Sequence, residues 1–245
     1  MLKIEGLYKS FRGSEVLVGV NLEIQAGEVV GLIGRSGAGK STLARCLVGL
    51  EQPDAGRIQL ENETIDPGEG FARQQIQYLW QDPTQSLSPF LNARSAVLET
   101  LNGFALGSAS NRQQRAETLL ENLGLERDIW TKRPHALSGG QCQRVALARA
   151  LAAQSKVLIL DEPLSSLDLI TQIATMDLLK KAHNERNTAM LIVSHDLAPL
   201  RRLANRIVVL DEGRIVDDLP VSAISKKSEN PLLQAYAARL PDPAE

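Results

Sequence analysis

Gly34-Arg35-Ser36-Gly37-Ala38-Gly39-Lys40-Ser41-Thr42 places three glycines, a lysine and three hydroxyl residues in one short segment. It fits the spacing Gly-x-x-x-x-Gly-Lys-Ser/Thr. The glycines let consecutive backbone amides turn inward around the oxygens of an anion, and the helix that follows presents its N-terminus to the same anion. In this arrangement Lys40 is expected to reach the β- and γ-phosphates of a bound nucleotide, and the Ser41 hydroxyl to coordinate Mg²⁺. A plain glycine-rich turn is the competing reading, but the flanks favour the phosphate loop. Before it lies an apolar run, Val29–Ile33. After it, Leu43, Leu47 and Leu50 recur at helical spacing.

Two further runs, residues 157–160 and 190–193, are apolar without alternation. Such runs are expected where both faces of a parallel strand are covered. Helical patterns follow each, and after the first of these two Leu169, Ile173, Met176 and Leu179 share a helical face. Strand followed by helix argues for an α/β core. Residues 2–7 and 16–24 alternate apolar with polar, which predicts a small antiparallel sheet beside it. From residue 90 to about 133 the chain is polar and helix-prone, so a helical insertion (about residues 82–138) within one domain (residues 1–219) is expected. Residues 220–245 read as a loop containing Ser225-Lys226-Lys227-Ser228 and a short helix over residues 232–239.

The bulk composition excludes several classes. The chain has 245 residues, 43% apolar and 23% charged, as for an ordinary folded protein. Lysine and arginine total 27 against 29 acidic residues, so there is no basic field to attract nucleic acid. No stretch approaches the roughly 20 apolar residues that cross a bilayer, and the first residues lack the features of a signal peptide. Cys46 and Cys142 have no metal-ligand spacing and read as free thiols.

Asp161 and Glu162 follow directly on the run 157–160. Asp161 at a strand end is placed to hold Mg²⁺ opposite Ser41, and Glu162 to orient or deprotonate an attacking water. Leu137-Ser138-Gly139-Gly140-Gln141 precedes another helical run. A Ser-Gly-Gly turn opening a helix offers a second anion site, or simply a capped helix start. One domain has no use for two triphosphate cradles on one nucleotide unless a neighbouring subunit uses the second.

Taken in order, the phosphate loop, Gln81, Leu137–Gln141, Asp161-Glu162, Ser165-Ser166-Leu167-Asp168 and Ser194-His195-Asp196 resemble an ABC-type ATPase across nearly the whole chain. The resemblance implies a P-loop ABC core of mainly parallel sheet with an N-terminal antiparallel β-subdomain and a helical insertion. It implies ATP and Mg²⁺ as ligands, and a head-to-tail dimer. In that dimer ATP lies between one subunit's phosphate loop and the other's Ser138, Gly139, Gly140 and Gln141. It further implies that Phe11, in the loop before the first long strand, stacks on adenine, with Tyr8 the weaker candidate. Gln81 senses Mg²⁺ and the attacking water, His195 contacts the γ-phosphate and positions Glu162, and Asp168 crosses the dimer seam.

Gln81-Asp82-Pro83-Thr84-Gln85-Ser86-Leu87-Ser88-Pro89 and the tail from Asn230-Pro231 to Pro241-Asp242-Pro243 are similar to the peptide and nickel import branch, with a lean toward a nickel-type second ATPase. Many members of that branch carry a cysteine-bearing C-terminal extension, whereas no cysteine follows Cys142 in this sequence. This reading implies an energy-coupling subunit at the cytoplasmic face of the inner membrane. Its partners are a second ATPase subunit, identical or different, two integral membrane permeases and an extracytoplasmic substrate-binding protein. A permease helix is expected in the groove between core and insertion. The alternative is an ATPase of a soluble assembly, such as a carbon–phosphorus lyase type complex.

Overall fold

The computed structural model describes residues 1–224 and 230–238. The segment 225–229 and the tail from residue 239, which carry the Ser-Lys-Lys-Ser loop and the Pro-Asp-Pro motif, lie outside the described residues.

Two sheets organise the chain. β1 (Leu2–Phe11), β2 (Ser14–Ile24), β4 (Ala55–Leu60) and β5 (Glu63–Thr64) form an antiparallel sheet in the order β2-β1-β4-β5. The larger sheet has the order β10-β9-β3-β8-β7-β6, from β3 (Val29–Ile33), β6 (Ile76–Leu79), β7 (Val157–Asp161), β8 (Ala189–Val193), β9 (Arg206–Asp211) and β10 (Arg214–Pro220). All its pairings are parallel except that of the edge strand β10 with β9.

The unbroken apolar runs have a direct cause. In β3, Val29 and Ile33 enter one buried cluster while Val30 and Leu32 enter the other. In β7, Leu158 and Leu160 face the first, and Val157 and Ile159 the second. Neighbouring side chains on a strand point to opposite faces, so a strand covered on both faces needs apolar residues at every position.

α1 (Lys40–Leu47) fills the space between the sheets with Leu43, Ala44, Cys46 and Leu47. Leu50 does not extend this stripe. The helix has ended at Gly49, whose φ is 72°, and Leu50 is exposed. After α2 (Gly70–Gln75) and α3 (Pro83–Ser86), the insertion runs through α4 (Ala93–Gly103) and α5 (Ala109–Asn122), capped by Asn92 and Ser108. Ala96, Val97, Leu101, Ala116, Leu120 and Trp130 pack in the same cluster as α6 (Gly139–Ala152), so the insertion shares its core with the large sheet.

α7 (Leu169–Arg186) departs from the expected stripe. Met176 and Leu179 are buried, but Leu169 and Ile173 are exposed, together with Ile170. The first turns of α7 project beyond the core, and Thr175 takes the buried place that helical spacing had given to Ile173. α8 (Leu197–Leu203) and α9 (Pro231–Ala237) complete the described chain, α9 burying Leu233, Tyr236 and Ala237. Cys46 and Cys142 are both buried free thiols.

Candidate active site

Residues 34–39 connect β3 to α1. Gly39 has a φ of 103°, and a Cβ there would lie 2.7 Å from the Val16 carbonyl oxygen. At Gly34 the reason for glycine is different, since a Cβ would lie 2.1 Å from the carbonyl oxygen of Leu210 on β9. No side chain caps α1, which leaves the first-turn amides of Lys40, Ser41 and Thr42 without intrahelical acceptors. The Lys40 ammonium donates back across the loop to the carbonyls of Gly34, at 2.8 Å, and Arg35, at 2.9 Å. Burial pushes its pKa down, and the charges of Glu162 and Asp161 oppose that shift.

Asp161 is the last residue of β7 rather than the first loop residue, and it is almost fully buried. Its Oδ2 accepts a hydrogen bond from the Tyr78 hydroxyl at 2.9 Å. Burial, and next the Asp161 charge, raise the Tyr78 pKa. Glu162 has left-handed backbone, with φ 52°. For a residue with a Cβ this conformation stores strain, which persists only where neighbours over-determine it. Here the Glu162 amide donates to the Val193 carbonyl at 3.0 Å, and its carbonyl accepts from Gln143 Nε2 at 2.9 Å and Ser165 Oγ at 3.1 Å. The turn aims the carboxylate at the end of β8. There Glu162 Oε1 accepts from the His195 amide at 2.9 Å and lies 2.8 Å from His195 Nδ1. An ionised carboxylate only accepts, so Nδ1 carries the proton and Nε2 is the ring nitrogen left for another partner.

One cavity of about 590 Å³ gathers most of the expected residues. Gly34, Arg35, Ser36, Gly37, Gly39, Lys40, Ser41, Thr42, Gln81, Asp161, Glu162 and His195 all line it, and Ala38 is buried behind the loop. Among its lining residues, Ser41, Gln81 and Asp161 supply hard oxygen donors. No cluster of three or more His, Cys, Asp or Glu able to hold a metal occurs among the described residues. That donor set fits Mg²⁺, which keeps several waters and is bound through one or two protein oxygens together with substrate phosphates.

The other expected residues lie elsewhere in the subunit. Gly139 lines a neighbouring cavity of about 470 Å³, which shares Gln81 and Asp161 with the first. Ser138 caps α6 in a capping box: Ser138 Oγ accepts from the Gln141 amide at 3.2 Å, and Gln141 Oε1 from the Ser138 amide at 2.9 Å. The capped helix start is therefore present, and it leaves the amides of Gly139 and Gly140 without intrahelical acceptors. Gly140 packs close to the Ser166 carbonyl. Asp168 caps α7, accepting from the Thr171 amide at 3.0 Å and the Thr171 hydroxyl at 2.7 Å. Those bonds, the amide first, lower its pKa. Phe11 is not in a loop as expected. It is the last residue of β1, pairs with Ser14, and holds the Lys9 ammonium 5.1 Å from its ring centre.

Three site residues were not anticipated. Tyr78 on β6 carried no distinguishing signal. Tyr236 of α9 lines the large cavity, and its hydroxyl donates to the Gly34 carbonyl at 3.3 Å. Gln143 did carry a signal: it is an amide within the otherwise apolar face of α6, and it is buried.

A glycine loop on a helix N-terminus, a lysine within it and a carboxylate pair at the end of β7, two strands over in the same sheet, define a P-loop nucleoside triphosphatase. Residues 17–165 match the ABC transporter family. The chain is 39% identical over 236 residues to the nickel import ATP-binding protein NikE of Shigella boydii serotype 4 (strain Sb227), covering 91% of this chain and 88% of that protein. It is 41% identical over 220 residues to the aliphatic sulfonates import ATP-binding protein SsuB 1 of Rhizobium johnstonii, covering 90% and 77%. Among solved structures, a dimeric post-hydrolysis state of an ATP-binding cassette bound to ADP and Pi superimposes with a TM-score of 0.83. That structure is 31% identical and covers 90% of this chain and 99% of that one. The chain belongs to the ABC transporter family and is an ATP-binding cassette ATPase.

Proposed function

We propose that this ATPase powers an importer, as the peripheral subunit of a membrane assembly on the cytoplasmic side, and that its cargo is nickel, a nickel chelate or a peptide. The reading of import rests on the relatives, which are named for it, and nickel is favoured by the 39% identical nickel import proteins. The sulfonate importer at 41% identity belongs to the same comparison. Cargo choice therefore rests on the permeases and binding protein. No helix among the described residues is long and apolar enough to cross a membrane, so the pathway itself is the work of partners. The permease element sits in the groove between the large sheet and the insertion at residues 82–138.

The observation that carries the chemistry is the contact of Glu162 with His195 at 2.8 Å, inside the cavity that the Lys40 loop also lines. The loop amides and Lys40 bind the β- and γ-phosphates. Glu162 accepts a proton from the water whose oxygen attacks the γ-phosphorus, as the bond to ADP breaks. His195 holds the carboxylate and offers Nε2 to the γ-phosphate. Ser41 and Asp161, with Gln81, would hold Mg²⁺, which would supply charge neutralisation for the phosphates. Adenine stacks on Phe11, which is exposed on the hairpin.

Ser138, Gly139, Gly140 and Gln141 serve the nucleotide of a second subunit, and Asp168 lies at that seam. Their separation from the Lys40 cavity within one subunit, together with the dimeric solved relative, supports this assignment.

The test is purification of the tagged chain from detergent-solubilised membranes, followed by reconstitution into vesicles and measurement of ATP-dependent uptake of Ni²⁺ and of oligopeptides. Co-purification with polytopic membrane proteins and uptake of one cargo are expected. Recovery with soluble partners alone would replace the importer by the carbon–phosphorus lyase type of assembly.

A further inference from the structure

α5 of the insertion and the C-terminal half of α7 wall a cavity of about 410 Å³ that shares no lining residue with the phosphate cavity. Leu119, Leu151, Leu158 and Leu178 give it an apolar surface. Arg115 and Arg186 also line it. The half-buried Arg115 guanidinium meets a backbone carbonyl, that of Leu151, at 3.5 Å. Neither arginine has a carboxylate within ion-pair distance among the described residues, and Glu185 beside them is 3.9 Å from Lys181 instead. Ser155, buried in the same wall, has a hydroxyl with no hydrogen-bond partner.

The Arg115 guanidinium is poorly solvated beside this apolar surface, and the exposed Arg186 at the cavity mouth adds a like charge that repels it. Burial, and then the nearby Arg186 charge, push the Arg115 pKa down to about 10. A carboxylate matches guanidinium geometry and relieves both effects. A purely inorganic anion would leave the leucines uncovered.

We propose that this cavity binds a small amphipathic organic anion, its carboxylate held by Arg115 and Arg186 and its hydrocarbon body resting on Leu119, Leu151 and Leu178. The Ser155 hydroxyl supplies a further donor. Since α5 belongs to the insertion and α7 packs on the large sheet, the occupant touches both parts of the subunit.

Titration calorimetry of the full chain tests this, with hexanoate as probe, and acetate and 1-hexanol as its head and tail alone. Saturable one-to-one binding of hexanoate is expected, at least about tenfold tighter than either control. The double variant Arg115→Gln/Arg186→Gln is expected to weaken hexanoate by about tenfold or more while ATP affinity is unchanged, since neither side chain lines the phosphate cavity. Ala182→Leu, which fills the cavity from its apolar side without touching the charges, should weaken it too. Absence of saturable hexanoate binding, equal binding of hexanol, or full affinity in the double variant would each overturn the proposal.

Discussion

His195 Nδ1 lies 2.8 Å from Glu162 Oε1, and the same oxygen accepts the His195 backbone amide at 2.9 Å. The two residues belong to loops after neighbouring parallel strands, β7 and β8, so the sheet itself sets their separation. One carboxylate oxygen is thus fixed by two donors, and Nε2 of the histidine is left for another partner. In the proposed reaction the carboxylate of this pair acts and the imidazole orients it.

Replacing Glu162 by Gln is expected to preserve ATP binding, because the Lys40 loop is untouched, and to lower turnover by about 10²–10⁴-fold. ATP-bound dimer should then accumulate on size exclusion. Turnover at the normal rate in this variant would remove Glu162 from the reaction.

Gln143 is a positioning residue rather than a reacting one. Its Nε2 holds the Glu162 carbonyl at 2.9 Å, while its Oε1 is buried without a partner. Gln143→Met removes both the bond and the unpaired acceptor, so the stability change should stay within about 1 kcal/mol. The strained Glu162 turn loses a support, and kcat is expected to fall about tenfold with KM for ATP unchanged. A rise in KM at constant kcat would instead place Gln143 in nucleotide binding.

Tyr236 and Lys40 share the Gly34 carbonyl as acceptor. When Lys40 turns to phosphate, Tyr236 remains as donor to that oxygen, and it ties α9 to the loop. Tyr236→Phe should weaken ATP by about two- to tenfold, as expected for one neutral hydrogen bond. Equilibrium binding with a fluorescent ATP analogue reads this directly, and an unchanged Kd would detach α9 from the site.

Asp168 makes a pH-dependent contribution to stability. Its carboxylate sits below the usual value of 3.8 because the Thr171 amide and hydroxyl favour the charged form. A depressed acid stabilises the fold above its unfolded pKa and loses that effect as pH falls through the lower folded value. Asn caps helices as well as Asp but does not titrate. Relative to Asp168→Asn, the parent chain should therefore lose thermal stability in the acid range, below about pH 4. Parallel melting curves at pH 3 and pH 7 would show it, and identical losses in both proteins would not fit.

Much of the fold was legible because burial on both faces leaves an unmistakable mark: every residue of β3 and β8 had to be apolar. The phosphate loop was legible because backbone geometry demanded its glycines. What the sequence concealed depended on distant chain segments meeting. Nothing near Tyr236 indicates that α9 returns to Gly34, and Tyr78 reaches Asp161 only because β6 and β7 pair. Periodicity overreached at Leu50 and Leu169, since an apolar residue at the right phase is buried only if its helix continues and has a neighbour there.

On the proposed assignment, a single subunit does not complete the hydrolytic site. ATP hydrolysis should be measured across a dilution series with light scattering on the same samples. Activity per subunit is expected to fall toward zero as the chain becomes monomeric and to rise with the dimer fraction; undiminished activity per subunit in a strictly monomeric sample would contradict the account.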